Sequence, residues 1–184
     1  MSGLPEEMVA SGWFLRRWAD EDDRALFAAV TESAPELRLW MPWMTQAPTL
    51  AAEREHMAVS RYRWDTGEAY EYGIFGADGT LAGTIGLHRR VGPNAWDIGY
   101  WVRTSYTRRG IATAAAGALT DIALAVPGTE RVEIRCDEAN VASAGVPRRL
   151  GYSLDRVDER TPEAPGECGR LMIWTRRPGR RGLS

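Results

Sequence analysis

The run AWDIGYWV at Ala95–Val102, followed after a short turn by YTRRGIAT at 106–113, decides the fold of this chain. The first run is aromatic and strand-like, and the second leads through a glycine into an alanine-rich segment typical of a helix. Together they predict an anion site, because the first N–H groups of a helix have no partner within it. Gly110 would let a phosphate approach the backbone, and Arg108 and Arg109 add permanent positive charge. The alternative is an ordinary basic turn that binds nothing.

The composition of the chain indicates one globular domain. Its 184 residues are enough to bury a sizeable core, and 44% of them are hydrophobic. The net charge of −2 predicts neither nucleic acid nor an acidic membrane as a partner, and no apolar run approaches the ~20 residues of a membrane-spanning helix. All 23 basic residues are arginine, so no lysine can form a Schiff base. Two cysteines and two histidines fit no metal spacing, so we expect no metal and, without a signal peptide, a cytoplasmic protein.

Turn and capping signals divide the chain into the order β-α-α-β-β-β-α-β-α-β-β, with no internal repeat. The pattern defines strands at 12–18, 69–75, 81–88, 95–102, 131–136 and 171–175, and helices that begin at Asp20, at Leu50, after Gly110 and at Asn140. On the third helix one apolar stripe is expected to face the sheet; it consists of Ile111, Ala114, Ala115, Ala118, Ile122 and Val126. We expect an N-terminal extension at 1–11, a single domain at 12–176 and a flexible basic tail at 177–184.

Three passages occur in a specific order: DIGYWV at 97–102, GIAT at 110–113, and NVAS at 140–143 continuing to LGY at 150–152. In this order and spacing they resemble the GNAT superfamily of acetyl-CoA-dependent N-acetyltransferases, and within it the RimJ/RimL-type N-terminal acetyltransferases. The resemblance covers nearly the whole chain, 12–175. It implies an α/β (α+β) fold with a mixed, mostly antiparallel twisted sheet of about seven strands. About four helices would flank this sheet, which would splay in the middle to admit CoA.

The resemblance also implies the residues of a CoA site. The backbone of Tyr100, Trp101 and Val102 would pair with the pantetheine arm, Asn140 would contact the same arm, and Ser143 would lie near the thioester sulfur. The pyrophosphate would lie on the loop made by Arg108, Arg109, Gly110, Ile111, Ala112 and Thr113. The chain departs from the family pattern at Thr107 and Arg108, where a glutamine or arginine and often a glycine are usual, so the loop is expected to differ in shape.

Acetyl transfer to an amine needs a polarised thioester carbonyl, a proton for the leaving thiolate and a neutral amine. Ser143 is the candidate proton donor, and its alternative role is that of an ordinary helix-cap hydroxyl. Asp97 is the candidate base, although a carboxylate in a strand more often faces solvent. Other charges could attract a cationic amine or simply be solvated; they are Glu68, Glu71, Glu163 and Glu167. His88 is expected to be structural.

The apolar segment 37–44 and Cys136 each have two possible roles. The dense apolar segment 37–44, LRLWMPWM, is either core or interface, or else one wall of a binding cleft. Cys136 ends the strand expected to border the thiol end of CoA, so oxidised CoA could form a mixed disulfide with it. The simpler alternative is a small buried thiol.

The function that these residues predict is transfer of acetyl from acetyl-CoA to a primary amine, by direct attack in a ternary complex. An N-terminal α-amine is the favoured acceptor, since its pKa of about 7.8 leaves a large neutral fraction at pH 7.4, whereas a lysine near 10.4 is almost wholly charged. The alternatives are a small amine, such as a polyamine or an aminoglycoside, and a non-catalytic acyl-CoA sensor. A homodimer is a further possibility that the sequence leaves open.

Overall fold

One eight-stranded sheet runs through the protein, for which the computed structural model describes residues 4–179. The strand order is β1-β2-β3-β4-β5-β6-β8-β7. The strands are β1 Glu7–Ala10, β2 Trp13–Arg17, β3 Ala69–Phe75, β4 Leu81–His88, β5 Ala95–Val102, β6 Arg131–Asp137, β7 Ser153–Glu159 and β8 Arg170–Arg176. The helices are α1 Asp23–Trp40, α2 Leu50–Thr66, α3 Ile111–Ala125 and α4 Val141–Arg149.

The sheet opens at its centre. Within the described residues β5 and β6 form the one parallel pair, and their register runs only from Ala95 opposite Arg131 to Ile98 opposite Ile134. Beyond that point the two strands no longer pair with each other, although β5 continues to Val102 and β6 to Asp137. On its other side β5 stays paired with β4 as far as Val102. The backbone of β5 after Ile98 therefore presents N–H and C=O groups toward the gap, as an edge strand does.

The two faces of the sheet are covered differently. One face is apolar, and α3 packs against it in a core that includes Leu87, Ile98 and Ile134. The opposite face is covered by α1 and α2 only over its β2–β4 half, where Leu26 and Met57 pack with Trp18. The rest of that second face stays accessible, and this leaves room for a cleft.

The ends of two helices explain how the chain turns at their borders. Thr49 caps α2 by accepting a hydrogen bond from Ala52 N at 3.2 Å, and Gly67 ends the helix with φ +74°. That left-handed conformation carries little strain in glycine, so the chain can turn directly into β3. Asn140 caps α4 in the same manner, accepting from Ser143 N at 3.0 Å.

The hairpin and the central strand agree with the sequence prediction, while two other features differ. β1 lies within the stretch assigned to an N-terminal extension and pairs with β2, so the sheet begins at Glu7 and has eight strands rather than about seven. The stripe predicted on α3 is rotated: its buried residues are Ile111, Ala115, Ala116, Leu119, Thr120 and Ala123. The predicted tail at 177–184 extends beyond Gly179 and so lies partly outside the described residues. No helix within 4–179 is long and apolar enough to cross a membrane.

Candidate active site

A cleft of about 860 Å³ lies on the accessible face of the sheet. Its walls come from 40–43 after α1, from the first turns of α2, and from the loop that joins β7 to β8. Its floor contains Gly86 of β4 paired with Gly99 of β5. A Cβ added to Gly86 would lie 3.0 Å from His88 Nε2, so the imidazole lies directly over this bare backbone. The segment 37–44 thus supplies both core, through Leu37 and Met44, and the predicted cleft wall.

The cleft continues through the sheet at the gap between β5 and β6. Side chains alternate along a strand, so Tyr100 points to the face opposite Gly99 and Trp101. Tyr100, Cys136 and Ser143 nevertheless border the same cleft as the glycine floor. Two surfaces on opposite faces of the sheet are therefore connected at the gap, and two separate molecules can meet there.

Tyr100 and Ser143 are joined across this gap. The Tyr100 hydroxyl lies 3.1 Å from Ser143 Oγ and donates to the carbonyl oxygen of Ser143 at 3.2 Å. That carbonyl is free to accept because Pro147, four residues later in α4, has no N–H to donate to it. Burial raises the pKa of Tyr100 above its usual range, so the phenol remains protonated. Ser143 does not cap its helix, since Asn140 does, and its hydroxyl is available at the gap.

Cys136 lies beside Ser143 at the end of β6. Its residue is buried, with 7% exposed. Burial raises the pKa of the Cys136 thiol, and a hydrogen bond with Ser143 opposes that shift. The thiol form therefore predominates at neutral pH, and Cys136 is a weak nucleophile there.

The loop before α3 has the shape of an anion site. Gly110 takes φ +74° as the N-cap of α3, and no side chain caps the N–H groups of the first turn. Arg108 also lies in the left-handed region, with φ +62°, so the negative φ expected of an arginine is wrong at this position and the residue takes a conformation that favours glycine. The Arg109 guanidinium lies 4.7 Å above the Tyr106 ring. Arg149 of α4 reaches the same turn by donating to Thr113 Oγ1 at 3.2 Å.

Asp97 lies on the cleft but is not solvent-facing, which corrects the expectation for a strand carboxylate. Only 1% of the residue is exposed. Arg90 Nε donates to Oδ2 at 2.6 Å, and Arg135 Nε donates to Oδ1 at 3.1 Å. Both carboxylate oxygens are thus occupied by guanidinium groups, and neither is free to accept a proton from an amine.

Asp137 fixes the loop that closes one side of the cleft. Its carboxylate accepts hydrogen bonds from the backbone N–H groups of Ala139, Cys168, Gly169 and Arg170. Burial opposes ionisation, but these hydrogen bonds prevail and lower the pKa of Asp137 to about 2. Farther along the loop, Arg160 pairs with Glu163 at 2.8 Å and with Glu167 at 2.6 Å. One guanidinium thus pairs with two carboxylates, so this group of three side chains keeps a net charge of about −1 beside the cleft.

A family model for the GNAT acetyltransferase domain matches residues 13–153 of this chain. The chain is a GNAT acetyltransferase. The match includes α1 to α4 and the whole of the gap between β5 and β6.

Known proteins similar to this GNAT acetyltransferase include enzymes named for ribosomal substrates. YdaF of Bacillus subtilis strain 168, named as a candidate ribosomal N-acetyltransferase, is 38% identical over 77 residues, which are 41% of this chain and 42% of YdaF. RimL, a ribosomal α-N-protein acetyltransferase solved with coenzyme A in a disulfide with one of its cysteines, superposes with a TM-score of 0.84. It is 23% identical, and the match covers 92% of this chain and 96% of RimL. MccE, a microcin self-immunity acetyltransferase solved with acetyl-CoA and AMP, has a TM-score of 0.83 at 18% identity and covers 91% and 93% of the two chains.

The fold brings most of the predicted site residues together in this GNAT acetyltransferase. Tyr100, Trp101, Asn140 and Ser143 all line the cleft or its gap, and Val102 ends the part of β5 that pairs with β4 but not with β6. The anion loop lies at the start of α3, away from the cleft lining. Sequence reasoning missed Arg149, whose place beside Thr113 depends on how two helices pack. It also missed Glu53 and His56 of α2, which line the cleft. One sequence signal could have indicated that Glu53 is buried: it lies at helical spacing from the apolar residues Met57 and Trp64, on the same side of α2.

Proposed function

We propose that this protein transfers acetyl from acetyl-CoA to a primary amine, with the α-amine of a protein or peptide N-terminus as the favoured acceptor, by direct attack in a ternary complex. The observation that carries the proposal is the gap between β5 and β6. It opens the cleft toward Ser143 of α4 on the other face of the sheet, and α4 contacts the first turn of α3 through Arg149 and Thr113. A cofactor and an acceptor can therefore approach the same point from opposite sides.

The residues around the gap have distinct roles in this proposal. The backbone of Tyr100, Trp101 and Val102 on the side turned away from β4 would hold the pantetheine arm, and the Nδ2 group of Asn140 would assist it. The pyrophosphate would bind the loop of Arg108, Arg109, Gly110, Ile111, Ala112 and Thr113, where backbone N–H groups and arginines favour an anion. Ser143 would protonate the sulfur as the carbon–sulfur bond breaks. Asp97 keeps a positioning role, because its ion pair with Arg135 connects β5 to β6 and its ion pair with Arg90 holds the segment after β4.

The form of the cleft supports a peptide acceptor over an enclosed small-molecule pocket. Its rim carries the exposed residues Trp43, Arg90 and Glu163, so one side is open to solvent. A chain attached to the amine could leave the cleft there. The names of YdaF and RimL agree with an N-terminal or ribosomal acceptor.

The test is an acetylation assay with acetyl-CoA and a panel of peptides, polyamines and aminoglycosides, following free CoA and product mass. Acetyl on a peptide α-amine supports the proposal, and a product only with small amines moves the function to that class. Tight binding of acetyl-CoA without any product would instead favour a sensor. Because the chain has no lysine, acetyl found on the enzyme's amines could only be at its own N-terminus. This makes the protein background simple to interpret.

Replacing Arg108 by glycine should separate backbone strain from charge in the anion loop. At φ +62° a glycine relieves strain, so Arg108→Gly should raise the free energy of unfolding by up to about 1 kcal/mol. Loss of a cation beside the pyrophosphate should raise the KM for acetyl-CoA several-fold, more at low salt than at high salt. The measurements are denaturant unfolding and initial rates at two salt concentrations. Arg24→Gly, on the exposed side of α1, should leave this KM unchanged, and an equal effect there would contradict the assignment.

Cys136 should form a mixed disulfide with CoA when the protein is incubated with CoA disulfide. The Cys136 thiolate attacks one sulfur of the disulfide, a new sulfur–sulfur bond forms, and one CoA thiolate leaves. Because burial raises the pKa of this thiol, the rate should increase with pH between 7 and 9. Mass spectrometry in a Cys168→Ser background follows the single remaining thiol. An unmodified protein at every pH would show that the gap does not bring CoA sulfur to Cys136.

A further inference from the structure

Glu53 is a carboxylate on the buried side of a helix, facing the cleft. It shares a stripe of α2 with Met57, Ser60 and Trp64, and only 8% of the residue is exposed. Within residues 4–179 its carboxylate has neither a hydrogen bond nor an ion pair, and it lines the cleft. A charge that loses water without gaining a partner is unfavourable, so such a group is retained where it meets a ligand of opposite charge. Burial raises the pKa of Glu53, His56 opposes that shift and Glu71 adds to it, so a bound ammonium group would stabilise the ionised form.

One helical turn farther along, His56 is held by a second carboxylate. His56 Nε2 lies 2.7 Å from Glu71 Oε1, and Trp18 Nε1 donates to the same oxygen at 2.9 Å. Burial opposes ionisation of Glu71, but the hydrogen bond from His56 prevails and lowers the pKa of Glu71. An ionised carboxylate only accepts, so Nε2 carries a proton and Nδ1 is the nitrogen that can take one. This pairing is the arrangement in which a carboxylate orients an imidazole for proton transfer.

We propose that Glu53 binds the ammonium group of the acceptor and that His56, oriented by Glu71, takes the proton that this group must lose. The inference rests on the proposed function and adds the acceptor site to it. The ammonium gives one proton to His56 Nδ1. The neutral amine then attacks the thioester carbon, the carbon–nitrogen bond forms, and the carbon–sulfur bond breaks. Attack leaves the nitrogen with a positive charge and one proton more than the amide keeps; that proton passes through Ser143 to the departing sulfur, so CoA leaves as the thiol, and the imidazolium returns its own proton to solvent.

The floor of the cleft lies between the acidic pair on α2 and β3 and the gap beside Tyr100. Its two glycines are covered by His88, whose Nε2 lies 3.0 Å from a Cβ placed on Gly86 and 3.7 Å from one placed on Gly99. An amine bound at Glu53 therefore passes the His88 ring on its way to the gap. The acceptor class that follows is a primary amine in its ammonium form, and an amide or an N-acetylated amine would leave Glu53 unpaired.

The electrostatic surroundings of His56 determine the expected pH dependence. Burial lowers the pKa of His56, but Glu71 and Glu53 outweigh it, so the pKa is raised above 6.5. The charged groups that face the ring are Glu53 and Arg63 on α2 and Glu71 on β3. His88 on β4 acts indirectly, because it lowers the pKa of Glu71. A proton acceptor works only in its neutral form. Hence kcat/KM, which reports the groups of the free enzyme, should increase with pH through a midpoint above 6.5, and His56→Gln should remove that titration.

The experiment compares Glu53→Gln, His56→Gln and the exposed control Glu55→Gln on the same helix, with a Ser-Ala-Ala peptide and with spermidine. Glu53→Gln should raise the KM for the amine about tenfold or more, because a charged hydrogen bond is lost, and should leave the KM for acetyl-CoA unchanged. His56→Gln should lower kcat about 10²-fold. Thermal unfolding should show no loss of stability in Glu53→Gln, since the variant is isosteric and removes an unpaired buried charge. Glu55→Gln should behave as the wild type.

An NMR titration of His56 with the same peptide keeps the inference testable without turnover. The His56 ring resonances of the wild type should shift on peptide addition, and those of Glu53→Gln should not. If the wild type acetylates the peptide but both variants match it in KM and kcat, the acceptor site is wrong while the proposed function stands. If the wild type acetylates nothing, the proposed function fails. Absence of an NMR shift then overturns the acceptor site as well.

Discussion

Replacing Ser143 by alanine should lower kcat about 10²-fold, which is the lower end of what a positioned proton donor contributes. The substitution removes the hydroxyl at the gap and leaves the backbone carbonyl to which Tyr100 donates. Tyr100 should therefore stay in place, and the KM for acetyl-CoA should change little. Steady-state kinetics with saturating peptide measures both parameters.

The control for this variant is Ser153→Ala, at an exposed position on β7 away from the gap. A rate loss confined to Ser143→Ala supports the proton-donor assignment. Tyr100→Phe gives a second test of the same junction, since it removes the hydroxyl that lies 3.1 Å from Ser143 Oγ. If Ser143→Ala keeps full kcat, then water or Tyr100 protonates the sulfur and Ser143 is dispensable.

Replacing Gly83 by alanine should destabilise the protein by at least about 3 kcal/mol, because the added methyl has no room in the middle of the sheet. A Cβ at Gly83 would overlap the carbonyl oxygen of Trp101 and would lie 3.0 Å from the Cα of Val102. Both contacts are to backbone, which cannot rotate away as a side chain can. Relief would require β4 and β5 to separate at the end of β5 that borders the gap. We therefore expect loss of acetyl-CoA binding together with the loss of stability, measured by urea unfolding and calorimetry.

Gly179→Ala is the matched control, because a Cβ there meets no atom within 4 Å. It should leave both stability and binding unchanged. A Gly83→Ala protein with the stability of the wild type would mean that the β4–β5 ladder can shift at low cost. In that case the end of β5 would be less rigid than its pairing implies.

Turn and helix-capping residues correctly predicted the β3–β4 hairpin and the start of α4. The β3–β4 hairpin has the predicted bounds because Gly76 and Gly79 enclose a clear turn between two apolar runs. Asn140 opens α4 as predicted, since a side-chain acceptor before a helix satisfies its free N–H groups. β1 was missed because its four residues, EMVA, are too short to show a period, and its place depends on pairing with β2.

Contacts between distant segments explain the parts of the site that the sequence did not reveal. Asp97 has the pattern of a strand carboxylate, and nothing nearby in sequence shows that Arg135 comes to it from β6. In the sequence Glu53 is an ordinary glutamate in the first turn of a helix, and nothing near it shows that Glu71 of β3 will lie close to that helix. The stripe on α3 was displaced because small alanines pack on either side of Leu119, and their pattern alone does not define which side faces the sheet.

Pro147 has a consequence for the size of the gap. Below the opening, the width between β5 and β6 is set by their hydrogen-bonded register, which ends at Ile98 and Ile134. Above it, the hydroxyl of Tyr100 ties β5 to α4, the helix that follows β6, through the carbonyl that Pro147 leaves free. The aperture is thus fixed at both ends before any ligand arrives. Binding then requires little free energy to open the sheet, because the gap is preorganised at the width that the ligand needs.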